Sequence, residues 1–262
     1  MFGLFKKNKT YPAFAPLGVD IHCHLLPQVD DGSRSLEESL EVMCAMKEVG
    51  FESIMLTPHF SHRYTNTEED IATRYNNFLA EVDPYRSTKD LPEIAALGGE
   101  YQLDDRFRDR APQGGMNVVR YSNDTDEGKG IILLEFSLHQ PILGAVEELF
   151  KLQMEGYEII LAHPERYPYL DSHSHMLEQL KEQGVLFQSN ILSFDGFYGE
   201  AAQKKAFDYV SFGWIDFLGT DMHNVMYANA LRHASTNKKL IQLIEKEHFE
   251  NSRFIDNKRD KT

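Results

Sequence analysis

Asp20-Ile21-His22-Cys23-His24 places polar side chains at alternate positions of a run that is otherwise apolar from Leu17 and Val19 onward. On a strand, side chains two residues apart share a face. Asp20, His22 and His24 are therefore expected together, with Ile21 and Cys23 turned away. Burying three polar groups on one face is costly unless something satisfies them. Two imidazoles and a carboxylate aimed at one spot are suited to a divalent cation. The plainer alternative, for this motif alone, is one buried, hydrogen-bonded histidine beside a surface turn. Further residues of ligand type gather at the ends of other apolar runs: Asp31, His59, Glu100, Glu135, His163, Asp221 and His223. Singly, each has an ordinary explanation as a cap, a surface group or a loop residue. Their arrival at the same end of successive runs is hard to attribute to chance.

Seven apolar, β-rich runs must position these groups: 18–24, 53–59, 94–100, 130–136, 158–164, 185–190 and 216–221. Amphipathic stretches separate them. Ser35 and Glu38 have capping-box spacing ahead of an apolar stripe that Gly50 stops. Other helices are expected near 68–82, 142–154, 175–183, 200–212 and 228–246. Alternating strands and helices predict an α/β fold with parallel pairing, and buried parallel strands are continuously apolar, as these are. Ligand-type residues at the C-terminal ends of so many strands favour a barrel, which gathers them round one mouth, over an open sheet, which spreads them along an edge. A single barrel domain over 18–250 is expected, with flexible tails at 1–17 and 251–262 and a polar excursion over 106–130.

Composition narrows the function classes. A formal charge of -14 argues against a nucleic-acid binder. It also means that an anionic substrate would need local positive charge from arginines or bound metal. No apolar run approaches the ~20 residues that span a membrane. The basic start, Lys6-Lys7-Asn8-Lys9, supports at most weak membrane association. Without a signal peptide and with only Cys23 and Cys44, a disulfide-free cytoplasmic protein is expected. Neither cysteine has an arginine six positions on, since Val29 and Gly50 stand there, so cysteine-dependent phosphatase chemistry is excluded. Phe194, Phe197 and Tyr198 could flank an aryl group, although rim packing is the simpler expectation.

These motifs together resemble the PHP (polymerase and histidinol phosphatase) superfamily of metal-dependent phosphoesterases. The resemblance is to the bacterial PHP-type protein-tyrosine phosphatases of capsular and exopolysaccharide regulation. Its carriers are Asp20-Ile21-His22-Cys23-His24-Leu25-Leu26-Pro27, Asp30-Asp31-Gly32, Thr57-Pro58-His59, Gly98-Gly99-Glu100-Tyr101, Leu134-Glu135-Phe136, His163-Pro164-Glu165-Arg166 and Asp221-Met222-His223-Asn224. It implies a distorted seven-stranded (β/α) TIM-like barrel, the PHP fold. It also implies three divalent metal ions, manganese by preference, with Fe or Zn also suited to this donor set. His22, His24, Glu100 and Asp221 would hold the first, and Glu100, Glu135 and His163 the second. Asp31, His59 and His223 would hold the third.

Three such cations outweigh the carboxylates of Asp31, Glu100, Glu135 and Asp221, which answers the problem of the acidic chain. The implied reaction is hydrolysis of phosphotyrosine by a metal-bridging hydroxide. The implied substrate is a phosphotyrosine protein, in the family a bacterial tyrosine kinase controlling polysaccharide synthesis and export. Arg166 is the expected clamp on the phosphate, through its forked donors; Glu165 is its alternative partner. Asp20 is expected to take part by orienting a ligand histidine. The chain departs from the family where another phosphate-contacting arginine usually follows the Asp-Met-His-Asn segment; here the first is Arg232, and Arg63 is another candidate. A small-molecule phosphatase of histidinol-phosphatase type, or a metal-loaded regulatory protein with little turnover, are the alternatives.

Overall fold

The structure, a computed structural model, describes residues 12–122, 129–171 and 174–255. Nine strands lie within them: β1 (Val19–Cys23), β2 (Ser53–Leu56), β3 (His59–Phe60), β4 (Glu93–Leu97), β5 (Glu100–Gln102), β6 (Gly130–Glu135), β7 (Tyr157–Ala162), β8 (Leu186–Asn190) and β9 (Phe217–Gly219). Every pairing is parallel. One sheet runs β1-β2-β4 and the other β3-β5-β6-β7-β8-β9.

The α/β class and the parallel pairing are as expected, but a single seven-stranded sheet is not what is seen. Two of the expected runs are each cut in two. Pro58, which has no N–H to give a ladder, separates β2 from β3. Gly98 and Gly99 separate β4 from β5. A Cβ on Gly99 would stand 2.7 Å from the Phe60 ring and 2.8 Å from that of Tyr101, so no other residue fits the crossing. Backbone bonds nonetheless run across the break, from Gly98 N to Leu56 O (2.8 Å) and from Glu100 N to Pro58 O (3.0 Å). At the other side, β1 and the chain after β9 are joined by an isolated bridge, Cys23 to Met222. Bonds from His24 N to Met222 O and from Asp221 N to His22 O, both 2.8 Å, flank it.

β1, β6 and β9 are buried along their whole length, whereas β4 is partly exposed. In β6, Ile131 and Leu133 join a small cluster with Val19, Ile21, Met55, Ile160 and Phe217, drawn from both sheets. Ile132 and Leu134 point into a larger cluster shared with the helices. Helix Leu36–Val49 begins where Ser35 Oγ accepts from Glu38 N and stops at Gly50, whose φ of 118° suits glycine. The expected capping box is half made, because the Glu38 carboxylate turns to Arg34 instead. The expected last helix is two, Val225–Ala234 and Lys238–Lys246, since Asn237 caps the second through Lys239 N and Leu240 N. The excursion over 106–130 holds a short helix, Asp105–Arg110, and a Val119–Ile131 bridge, and part of it lies outside the described residues. No described helix is long and apolar enough to cross a membrane.

The packed core passes both expected tail boundaries. Phe14 is buried, with its ring 6.0 Å from that of Phe51. Asn251, also buried, donates to Val19 O (3.0 Å) and Leu218 O (2.7 Å) and accepts from Leu218 N (3.0 Å). One side chain thus ties β1 to β9. Residues 1–11 and 256–262 of the expected tails lie outside the described residues. Replacing Asn251 by Ala strands these backbone groups in the core. The expected cost is about 2 kcal/mol or more, read as a lower midpoint in urea unfolding with an unchanged slope.

Candidate metal centre

The strand alternation expected of the opening motif fails at one point. The β1–β2 register shifts between Asp20 and Cys23. Ile21 and Cys23, expected on one face, accordingly belong to different apolar clusters. Asp20 makes its side-chain hydrogen bonds to Thr220 and not to an imidazole. Its buried carboxylate accepts from Thr220 N (2.8 Å) and Thr220 Oγ1 (2.7 Å), and so braces the turn into Asp221 rather than a ligand imidazole. Burial lifts its pKa to about 6, against the lowering effect of those bonds. Cys23 is buried and donates through Sγ to Met55 O, away from the centre.

His22 and His24 meet Glu100 and Asp221 as the resemblance implied. Glu100 Oε2 lies 3.3 Å from Nε2 of each histidine. Asp221 Oδ1 lies 3.5 and 3.4 Å from the same two atoms, and the two Nε2 atoms are 3.2 Å apart. Their other nitrogens explain why this cluster could hold a cation. His24 Nδ1 faces Asp30 Oδ2 at 3.0 Å, an acceptor, and so carries the proton.

His22 Nδ1 faces Gln188 Oε1 at 2.8 Å. That amide is oriented because its Nε2 donates to Asn190 Oδ1 (2.9 Å), while Asn190 Nδ2 donates to Asp221 Oδ2 (2.8 Å). The chain of bonds begins at the Asp221 carboxylate and ends by fixing the tautomer of His22. With both Nδ1 atoms protonated, the neutral rings turn two lone pairs toward two carboxylate oxygens. Four acceptors then surround one point, fully buried, with no protein donor among them. Glu100 Oε2 in fact has no hydrogen-bond partner. Such a set is suited to a cation.

The neighbouring groups continue the pattern, with changes from the expected sets. His59 Nδ1 is 2.9 Å from Glu100 Oε2 and 3.6 Å from Glu135 Oε1, while its Nε2 is 3.5 Å from Asp31 Oδ1. It therefore faces two sites rather than one. His163 Nε2 reaches Glu100 Oε1 at 3.0 Å but Glu135 only at 4.0 Å. His223 Nε2 is 3.7 Å from Asp31 Oδ1. Among the described residues, three groups have donor atoms all within 4.8 Å: His22, His24, Glu100 and Asp221; His59, Glu100 and Glu135; and His24, His59 and His223. His163 and Asp31 sit at the margins of the last two.

Electrostatics says the same. Burial and the neighbouring Glu100 charge push the Glu135 carboxyl up to about 8. Burial disfavours charge on His22 and His24 too, yet the carboxylates of Glu100 and Asp221 outweigh it and raise both imidazoles above their ordinary value. His163 goes the other way, because burial and the neighbouring Arg166 charge lower its pKa.

Two of these residues, His163 (φ 35°) and Asp221 (φ 52°), hold left-handed backbone that non-glycine residues rarely adopt. Backbone bonds from His163 N to Gln188 O and from Asp221 N to His22 O pin both. Arg166, next in the same turn, has its Nη1 2.5 Å from Asp221 Oδ2 and its guanidinium 4.3 Å from the Tyr198 ring centre. Glu165 is not its partner; that buried carboxylate accepts from Asn190 N and Ser193 Oγ.

Over the centre opens a cavity of about 370 Å³, lined by Arg166, Arg63, Tyr64, Tyr227 and Leu138 as well as by ligand-type residues. Tyr64 stacks on His59 (5.7 Å, 7°) and Tyr227 on His223 (5.2 Å, 30°). Phe194, Phe197 and Tyr198 do not line it; Phe194 packs on Phe207 and Phe197 on Tyr227. Arg232 is also elsewhere, bound to Glu48 (2.8 Å).

Sequence reading missed Asp30, Gln188 and Asn190. Asp30 was visible only as the partner of Asp31 before a turn glycine. Gln188 and Asn190 were visible as amides closing the sixth apolar run, where charged residues drew attention elsewhere.

A parallel α/β fold with a buried imidazole–carboxylate cluster at its strand ends defines a class of metal-dependent hydrolases. Within it, residues 18–257 match the family model described as capsular polysaccharide synthesis, CpsB/CapC, and the chain belongs to that family. It is 28% identical over 216 residues to tyrosine-protein phosphatase YwqE of Bacillus subtilis, covering 80% of this chain and 79% of that one. It is 29% identical over 216 residues to tyrosine-protein phosphatase CpsB of Streptococcus pneumoniae, covering 79% and 83%. In fold it matches a solved structure from the pair YwqE of Bacillus subtilis and CpsB of Streptococcus pneumoniae, described as unique metal-dependent tyrosine phosphatases. That match has a TM-score of 0.68 at 24% identity and covers 87% of this chain and 91% of the other.

The hydrogen-bonded chain to His22 makes a specific prediction. Gln188→Leu, which removes the acceptor that holds Nδ1–H, is expected to weaken binding of the tightest divalent ion about 10–100-fold. Calorimetric titration of the metal-stripped protein measures this. An unchanged affinity would show that Gln188 does not orient the ligand.

Proposed function

We propose that this chain is a metal-dependent protein-tyrosine phosphatase acting in the control of polysaccharide synthesis and export. The observation that carries it is the buried convergence of His22, His24, Glu100 and Asp221, without a donor, beneath a cavity walled by aromatic rings. His59, Glu135, His163, Asp31 and His223 extend that convergence to as many as three divalent ions. Imidazole and carboxylate donors without thiolate suit manganese, and Fe or Zn as well. Divalent ions held there would supply Lewis acidity toward phosphoryl oxygens and bring the pKa of water toward neutrality.

The protein's own contribution is positional. Asp221 anchors Arg166 at the cavity, where the guanidinium donors it leaves free are available to a phosphate oxygen. Tyr198 beneath the guanidinium keeps it in place. Tyr64 and Tyr227, braced on His59 and His223, leave a slot between aromatic walls that suits an aryl ester. Asp20 acts at one remove, through Thr220 and the strained turn at Asp221.

Membership of a capsular polysaccharide synthesis family and relatives named as tyrosine-protein phosphatases support a phosphotyrosine protein as substrate, by that reading a bacterial tyrosine kinase in the cytoplasm. We also read the two sheets as one distorted seven-stranded barrel, in which β2 with β3 and β4 with β5 each count as a single interrupted strand. The bonds across both interruptions and between β1 and the end of β9 support it.

Metal-stripped protein is expected to lose turnover and regain it with Mn²⁺, and to prefer a phosphotyrosyl peptide to a phosphoseryl peptide and to histidinol phosphate. His22→Ala is expected to lower kcat by more than about 100-fold. Turnover that survives metal removal would sink the mechanism, and a preference for histidinol phosphate would move the chain to the small-molecule class.

A further inference from the structure

A second cavity, of about 570 Å³, adjoins the first and shares Arg63, Gln102 and His139 with it. Its far wall is apolar, formed by Pro141, Ile142 and Leu143, and Leu143 is 93% exposed. A lone exposed leucine is ordinary. This one stands on the wall of a groove that leads into the candidate active site.

The charges in the groove are satisfied except at one place. Asp105 pairs with Arg108 (2.9 Å), and Arg108 also holds Glu148 (2.6 Å). Asp104 accepts from His62 N and Phe107 N. Arg63, at the junction of the two cavities, is exposed, and no carboxylate among the described residues pairs with its guanidinium. In a chain of net charge -14, an exposed unpaired arginine at the mouth of the site is a specific attraction for an anion.

A small phosphate monoester would occupy the first cavity and leave the second empty. We propose that the second cavity is the docking groove for the peptide segment next to the phosphotyrosine. Arg63 meets an acidic residue beside the phosphotyrosine, and Ile142 and Leu143 meet an apolar side chain further along. The proposal rests on the tyrosine phosphatase reading and deepens it to a peptide preference. Arg232, turned away to Glu48, does not line this groove.

The test compares kcat/KM for three substrates with the full chain loaded with Mn²⁺. These are a phosphotyrosyl peptide with acidic and leucine flanks, the same peptide with glycine–serine flanks, and p-nitrophenyl phosphate. The acidic, leucine-flanked peptide is expected to be preferred. In both Arg63→Ala and Leu143→Asp, the ratio of kcat/KM for that peptide to kcat/KM for p-nitrophenyl phosphate is expected to fall about tenfold, through KM. Arg63→Glu is expected to transfer the preference to a peptide with a lysine in place of the acidic flank, which a merely structural arginine would not do. Wild-type indifference to the flanks, or an unchanged ratio in both variants, overturns the groove while leaving the phosphatase reading intact. A wild type that hydrolyses neither peptide nor p-nitrophenyl phosphate overturns the phosphatase reading, and the groove with it.

Discussion

Everything in this molecule is arranged around one electrostatic demand. Glu100 and Asp221 are carboxylates sealed from water, and the imidazoles beside them present lone pairs rather than protons. A buried charge left without a partner is among the most destabilising features a fold can contain. The chain supplies Asp221 with one arginine and Glu100 with none. The remaining compensation must come from cations that the cluster is shaped to take. Glu135 accordingly resists ionisation, and His22 and His24 accept protons more readily than free imidazole, whereas burial and the Arg166 charge make His163 accept one less readily.

Holding like charges together requires a stiff frame, and the frame is made of backbone and amides. Hydrogen bonds from neighbouring strands pin the left-handed turns at His163 and Asp221. Asp30 bridges segments, since its carboxylate receives His24 Nδ1–H, His59 N and Gly32 N. Gln188 and Asn190 link the Asp221 carboxylate to the far side of His22. Gly219 belongs to the same frame, because a Cβ there would stand 2.8 Å from the Gln188 amide and 2.9 Å from the His22 Cβ.

Much of this was legible in the chain. The parallel α/β class followed from runs such as 130–134, apolar throughout and buried on both faces. His22 and His24 share one run, and Glu100 and Asp221 close two others; the resemblance implied that the four form one set. Less legible was the exact partition of the rest. His59 turns its two nitrogens to different neighbours, and a residue type says nothing about which way a ring is turned. The role given to Asp20 rested on strict alternation along β1, and a one-residue register shift was enough to move it to Thr220. The strand count differed for a related reason: Pro58 and the Gly98-Gly99 pair interrupt ladders without ending the extended chain.

The sequence by itself determined the chemistry and the fold class, because donor types and hydrophobic period are local properties written in residue identity and spacing. It determined the acidic balance and the absence of a cysteine–arginine phosphate loop in the same way. Only the tertiary structure decided that Arg166 is held by Asp221 rather than Glu165, that Arg63 and not Arg232 lines the cavity, and that amides from β8 set the tautomer of His22. Those outcomes depend on side-chain direction and on contacts between segments up to 184 residues apart, which no local pattern encodes.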